Sequence, residues 1–582
     1  MKPYLCFFSF LFLSNCLVSA QTSDKNIRLN QLGFYPDAPK IAVVVNDTSV
    51  TDFYVIDKNK NDTAFRGKLS AVRHSGNSSL ATRIADFSAL KQPGEYRVTV
   101  TDAESYPFSI QKDALHKVAA ASLKAFYFIR ASMPLEEKYA NKWARAEGHP
   151  DTIVYVHSSA ASAQRPEGTI ISCPGGWYDA GDYNKYVVNS GISTATLLSA
   201  YENFTSYFNT LKINIPESND NVPDILNEAL YNLRWMLAMQ DPNDGGVYHK
   251  CTTAKFSGMV MPDNATEKRY VVQKSTAATL DLAAVAAQAS RIFSNYKKQF
   301  PGLSDSCLNA ALKAWDWAEK NPAVYYNQNE MNKQFQPAVT TGAYGDGHVD
   351  DEFFWAACEL YATTKNEKYY QHVHDKINEA FSLPSWNNVY ALGYYTLIRN
   401  ENKLSSDHAA DISAIKNKLI DFADDYVGHV NDNAFAIVMG SSKKDFNWGS
   451  NSNAANQSVL LINAYLITKN KKYLDAALTN MDYILGRNAT GYCFVTDIGT
   501  KSTMHPHHRP SVADGVDEPV PGLMAGGPNP GRQDGCKYEF FEPETAYADS
   551  DCAYASNEIA INWNAPLVYV ANAIEALQNK LN

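Results

Sequence analysis

The chain has 582 residues, with 52 basic and 62 acidic side chains and a formal net charge of −10. That length supports two or more domains and a large core, and an acidic balance with no basic cluster argues against nucleic acid as the main partner. Aromatic residues make up 12% of the chain, 35 of them Tyr, and rings with polar handles suit carbohydrate contact as well as core packing.

Residues 1–20 read as an export signal. Met1-Lys2 is a basic start, an apolar run extends from Tyr4 to Leu13, and Val18-Ser19-Ala20 places small residues before Gln21. The run is too short to span a bilayer as a mature helix, and no other transmembrane candidate appears. The protein is therefore expected to be exported, secreted or periplasmic. Leu13-Ser14-Asn15-Cys16 loosely resembles a lipoprotein box. Asn15 fits poorly there, so cleavage after Ala20 is preferred and a lipid-anchored form through Cys16 is the alternative.

Residues 25–111 are strand-like. Ile41-Ala42-Val43-Val44-Val45, Phe53-Tyr54-Val55-Ile56 and Tyr96-Arg97-Val98-Thr99-Val100 are β-rich runs, with a turn at Pro93-Gly94-Glu95. Short strands in this number predict an immunoglobulin-like β-sandwich. It contains no catalytic constellation. Its expected role is to pack against and steady the next domain, with sugar binding as the alternative.

Residues 114–582 are helical. One helix opens at Pro223-Asp224 and runs to about Gln240, an Ala-rich amphipathic one spans Ser275 to Phe293, and others centre on Trp315, Trp355, Leu419, Leu461, Ala476 and Ile574. Leu360–Tyr369 and Ala464–Tyr473 echo each other. Each joins the end of an apolar helix to a Lys-Asn turn and the start of the next helix. A helix hairpin used twice implies repeated helix pairs, arranged as a toroid or as an open solenoid.

Outside the first twenty residues there are seven cysteines and no Cys-x-x-Cys, so disulfides do not define the fold. Cys536 and Cys552 bracket a polar loop and are a candidate pair in an oxidising compartment. Cys358 lies on an apolar helix face and reads as a buried thiol.

Three segments carry chemistry. In Gly175-Gly176-Trp177-Tyr178-Asp179-Ala180-Gly181-Asp182-Tyr183, two carboxylates sit three residues apart among glycines and rings. The pattern suits aiming both acids at one water, and it also suits an ordinary surface turn. His505-Pro506-His507-His508-Arg509 follows Gly499-Thr500-Lys501. Three histidines suggest metal binding, but no cysteine or carboxylate stands at ligand spacing, so hydrogen bonding to a polar ligand is preferred. The last segment, Tyr547 to Ala565, places Glu558 after a polar loop, as a helix-start charge or as a proton donor at a cleft rim.

Together these segments resemble glycoside hydrolase family 9, the inverting β-glucanases built on an all-α (α/α)6 toroid, often preceded by an immunoglobulin-like domain. Val222-Pro223-Asp224, Gly245-Gly246-Val247-Tyr248-His249-Lys250 and Trp448-Gly449-Ser450-Asn451 are similar to family segments too. The resemblance implies Asp182 as general base, Asp179 as a second holder of the attacking water and Glu558 as general acid. It implies His507 and Arg509 as sugar ligands, Asp549 and Tyr554 as residues lining the same site, and Trp177, Tyr178 and Trp448 as stacking platforms. Inversion needs its carboxyl groups about 6.5–9.5 Å apart on opposite faces of the sugar. Asp179 and Asp182 share a loop, so Glu558 must supply the far side, with a raised pKa.

The implied activity is hydrolysis of β-1,4-glucosidic bonds in cellulose-like or mixed-linkage β-glucans, endo-acting and needing no cofactor for the chemistry. The alternatives are an exo-acting glucosidase or glucosaminidase on short oligosaccharides and a non-catalytic glycan-binding protein. Asp350-Asp351-Glu352 resembles the calcium loop of some members, with Asp351 and Glu352 as ligands, although the same charges suit any helix start. A zinc site that some members carry near His149, His157 and Cys173 is not expected, because only one cysteine is available there.

Overall fold

The computed structural model describes residues 26–581 except 48 and 102. The export signal and Cys16 lie outside the described residues.

Residues 27–110 form two stacked sheets, one of four strands and one of six. In the first, Ile41–Val45 pairs antiparallel with Ala81–Asp86, Val43 opposite Ile84. Strand alternation sends these residues two ways. Ala42, Val44 and Ala85 join Phe34, Phe53, Val98 and Phe108 in the sandwich core. Val43, Val45 and Ile84 belong to the core of the helical domain. Burial on both faces explains why this strand is an unbroken apolar run. The sandwich is thus continuous with the second domain, and polar contacts seal the seam. Tyr35 donates its hydroxyl to Glu575. The Gln31 Oε1 accepts the N–H groups of Thr500 at 2.9 Å and Lys501 at 2.8 Å.

Among the described residues, twelve helices of eight residues or more build the second domain: α1 (His116–Phe128), α2 (Val187–Asn203), α3 (Asp224–Ala238), α4 (Thr276–Phe293), α5 (Leu303–Lys320), α6 (Asp350–Thr364), α7 (Glu367–His374), α8 (Tyr390–Asn400), α9 (Ala409–Val430), α10 (Ser450–Thr468), α11 (Lys471–Ile484) and α12 (Ile561–Ala576). An inner ring runs α2, α4, α6, α8, α10, α12, and α12 packs back on α2. That contact makes the array a closed toroid. Outside it, α3 covers α2, α5 covers α4, α7 covers α6, α11 covers α10 and α1 covers α12, while α9 bridges α8 and α10. Inner helices touch protein on every side, so α2, α4 and α10 are buried over most of their circumference.

The repeated hairpin is α6–α7 and α10–α11. Lys365 and Lys469 each end a helix in the left-handed region, at φ 61° and 58°. Asn366 and Asn470 then cap the next helix, each accepting a backbone N–H at 3.1 Å. Loops at one rim contribute a five-stranded sheet that sequence analysis did not foresee. Within it Lys185–Tyr186 pairs antiparallel with Lys250–Thr253, Tyr186 opposite Lys250.

Candidate active site

The aspartate loop enters the rim just before α2. Gly176 sits at φ 80°, and a Cβ there would lie 2.8 Å from the Trp235 ring. This close approach buries the rings that follow. Trp177 is fully buried, 4.5 Å from Phe126 between ring centroids. Tyr178 is also buried, its hydroxyl 2.8 Å from His149 Nδ1. Neither ring lines the cleft, which corrects their reading as stacking platforms. They wedge the loop into the core instead.

Asp179 is held at both carboxyl oxygens. Asn189 Nδ2, one turn into α2, donates to Oδ1 at 2.6 Å, and the Tyr344 hydroxyl donates to Oδ2 at 2.7 Å. Burial and then the charge of Asp182 push its pKa up to about 8. Asp182 is gripped at one oxygen. Its Oδ2 accepts the backbone N–H of Asn184 at 3.2 Å, the Asn184 side-chain amide, and the Tyr186 hydroxyl at 3.2 Å. Asn184 is fixed in turn through its own Oδ1, which accepts Thr252 Oγ1 at 3.0 Å and the Thr253 N–H at 2.9 Å.

Glu558 does not open a helix, contrary to the helix-start reading. It is extended (φ −69°, ψ 157°) between a short turn of helix, Tyr554–Asn557, and α12. Its segment forms a parallel bridge to His507. The Ile561 N–H donates to the Asp179 carbonyl at 2.8 Å. A Cβ on Gly181 would lie 2.2 Å from the His507 carbonyl oxygen, so only glycine lets the aspartate loop meet the histidine segment. Burial, then Asp182, then Asp179 push the Glu558 carboxyl up to about 8.

Asp179, Asp182 and Glu558 line one cleft of about 800 Å³. His507, Arg509, Trp448 and Tyr554 line it too, as do Phe256, Tyr344, Trp386 and Trp563, which sequence reasoning missed. Phe256, Tyr344 and Trp386 sit on separate loops without a shared motif, and Trp563 lies in the first turn of α12, inside the segment that carries Glu558. Trp448 is 42% exposed and faces Tyr554 at 5.5 Å between centroids, a flat apolar surface open to the cleft. Asp549 does not line the cleft. It accepts the backbone N–H groups of Met504 and His505 and so braces the histidine segment from behind.

The three histidines diverge. His505 is exposed, His508 is buried against Ser511 Oγ at 2.9 Å, and His507 has Nδ1 2.6 Å from the Asp551 carbonyl. That carbonyl needs the proton on Nδ1, which leaves Nε2 as an acceptor. Arg509 donates Nε to the Ser257 carbonyl at 3.0 Å and one terminal nitrogen to the Gly181 carbonyl at 2.6 Å.

Among the described residues no three His, Cys, Asp or Glu side chains converge as a metal site. Near Cys173, Asp151 is buried in ion pairs with Arg269 at 3.0 Å and Lys185 at 2.7 Å. At the start of α6, Asp351 accepts the Val389 N–H at 2.8 Å. Glu352 is fully buried with both carboxyl oxygens unpartnered, and Asp281 and Asp346 each carry one such oxygen. Burial pushes all four carboxyls up, with repulsion from neighbouring acids, Asp350 among them, adding to it. These orphaned oxygens suit a hard cation, yet the carboxylates as placed do not close a ligand sphere.

The family profile described as Glycosyl hydrolase family 9 matches residues 116–571. The chain belongs to glycosyl hydrolase family 9. A second profile, described as Cellulase N-terminal ig-like domain, matches residues 22–105. The chain is 49% identical over 552 residues to a xyloglucan-specific endo-β-1,4-glucanase of Bacteroides ovatus, covering 95% of this chain and 94% of that protein. It is 32% identical over 559 residues to endoglucanase D of Acetivibrio thermocellus, covering 94% and 83%. A solved Bacteroides ovatus family 9 structure superposes with a TM-score of 0.91 at 48% identity, covering 95% and 99%. The two-domain layout and the toroid are therefore those of the family. The loop cysteines Cys536 and Cys552 form a disulfide, with Cα atoms 5.9 Å apart. No helix among the described residues is long and apolar enough to cross a membrane.

Proposed function

We propose that this family 9 hydrolase is an inverting endo-β-1,4-glucanase with Asp182 as base and Glu558 as acid. One observation carries the assignment: two acids from distant segments line a single cleft, one gripped at a single oxygen and the other raised to about 8. Donors on Asp182 Oδ2 leave its second oxygen for the attacking water. Water attacks the anomeric carbon, Asp182 takes its proton, and the C–O bond breaks as Glu558 protonates the departing oxygen. Configuration inverts because water enters opposite the leaving group. Asp179, pinned by Asn189 and Tyr344, orients that water. His507 Nε2 and Arg509 bind sugar hydroxyls, and Trp448 with Tyr554 offers a stacking face.

Endo action is favoured because, among the described residues, none of the 510–547 loop lines the cleft. Part of that loop bonds the sandwich, where Glu542 accepts the Ser79 N–H at 2.8 Å, and part backs the Glu558 segment, where the Gly526 N–H donates to the Glu558 carbonyl at 2.8 Å. The preferred polymer is read as xyloglucan, on the strength of the Bacteroides ovatus relative. Digestion of xyloglucan, mixed-linkage glucan and carboxymethylcellulose, with product sizing, tests both points. Early products of many lengths with xyloglucan fastest are expected, and release of one short product from chain ends would refute endo action. Cleavage after Ala20 is tested by sequencing the mature N-terminus; a blocked, lipid-modified Cys16 would refute that site in favour of an anchored exported form. Calcium at Asp351, Glu352, Asp281 and Asp346 would serve stability and not the reaction.

A further inference from the structure

Lys250 is a buried charge that the mechanism above leaves unused. It is fully buried and opposite Tyr186 in the rim sheet. Its ammonium donates to Gln328 Oε1 at 2.7 Å, Thr341 Oγ1 at 3.0 Å and the Gly342 carbonyl at 2.5 Å. All three acceptors are neutral, and no carboxylate is in ion-pair contact with it among the described residues. A buried ammonium without a countercharge is costly and is retained only where something offsets the cost.

The surroundings point to what that is. The ammonium lies 5.4 Å from the Tyr186 ring centroid and 5.5 Å from that of Tyr326. The Tyr186 hydroxyl donates to Asp182 Oδ2. Thr341, which Lys250 holds, is 2.6 Å from Thr252 Oγ1, and Thr252 binds the Asn184 that grips the same carboxylate. Gly342 begins the run to Tyr344, whose hydroxyl binds Asp179. The titratable groups facing Lys250 are Asp182, the phenols of Tyr186 and Tyr326, and His249. His249 is set between Ser275 Oγ and the Ala343 carbonyl, and burial keeps it neutral. Asp182 is thus the one carboxyl among the facing groups. Burial draws the ammonium down to about 7, with Asp182 opposing the shift.

We propose that Lys250 is a positioning residue for the base: its three hydrogen bonds place the Thr341–Tyr344 run against both aspartates, and its ammonium is the positive charge facing Asp182. The inference rests on Asp182 being the base. If Asp182→Asn keeps wild-type kcat, that reading fails; if Asp182→Asn is inactive, the outcomes below judge Lys250 alone.

Initial rates on a soluble β-glucan across about pH 4 to 9 are compared for wild type, Lys250→Met and Lys250→Arg. Removing a positive charge that faces a carboxyl group favours its protonated form. Lys250→Met is expected to lower kcat at least about 10-fold, change KM less than about 2-fold, and move the acid limb up by about one pH unit. Lys250→Arg keeps that limb in place. An unmoved acid limb in folded Lys250→Met overturns the proposal and leaves Lys250 a packing residue. Should Lys250→Met not fold, Asp182→Asn decides by its melting temperature at about pH 5, where Asp179 and Glu558 are protonated. A fall relative to wild type is expected because the ammonium loses its countercharge, and an unchanged or higher Tm overturns the proposal.

Discussion

Two buried acid clusters lie at this toroid rim, and they are built in opposite ways. Asp179 has a donor on each oxygen, and Asp182 has three on one oxygen. Glu558 completes that set across an open cleft. The other cluster, Asp281, Asp346, Asp351 and Glu352, is closed in by α4 and α6 and keeps four carboxyl oxygens without partners. Both raise carboxyl pKa values by burial and repulsion. Only the first places those acids where a sugar can reach them, so a perturbed acid marks chemistry here only together with donors and an opening.

The strongest way to break the contrast is at the acid. Glu558→Gln should lower kcat on β-glucan by about 10²–10⁴-fold with the fold intact, measured by reducing-sugar release and circular dichroism. Equal activity in variant and wild type would remove Glu558 from the reaction. The pH profile sharpens the same point. Glu558 works protonated and its pKa is raised to about 8, so kcat/KM should fall as pH rises through about 8. A profile flat to pH 9.5, well past that value, would be inconsistent with it.

The second cluster answers to stability instead. In chelator, Asp281→Asn replaces a buried carboxyl lacking a partner by a neutral amide, and Tm should rise by an amount worth about 1 kcal/mol, with kcat little changed. If millimolar calcium raises the wild-type Tm by drawing these carboxylates together, the variant should lose that gain, since the ion needs the carboxylate. A calcium response identical in both proteins would take Asp281 out of any such site. The smallest effect is expected at the cleft wall. Trp448→Ala should raise KM about 3- to 10-fold with kcat nearly unchanged, the signature of lost uniform binding.

Much of this was legible in the chain. Ile41–Val45 reads as strand because β-branched residues cluster there. The Lys-Asn turns at 365–366 and 469–470 read as helix ends because lysine enters the left-handed region as the helix closes and asparagine caps the next. Asp179, Asp182 and Glu558 stood out because glycines, rings and acids fall together. Trp177 and Tyr178 misled because a ring beside an acid looks the same whether it faces solvent or core. The Gly176 turn against Trp235, fifty-nine positions away, decides that.

The sequence by itself determined the element types and the acids, since local sterics and side-chain chemistry act between near neighbours. Only the tertiary structure decided which oxygen of Asp182 is left free, that α12 closes on α2, and that Lys250 stands behind the base. Those facts depend on which groups the folded chain brings together, from Asn184 and Tyr186 beside Asp182 to Lys250 and α12 far along the chain, and no local pattern encodes which of them will meet.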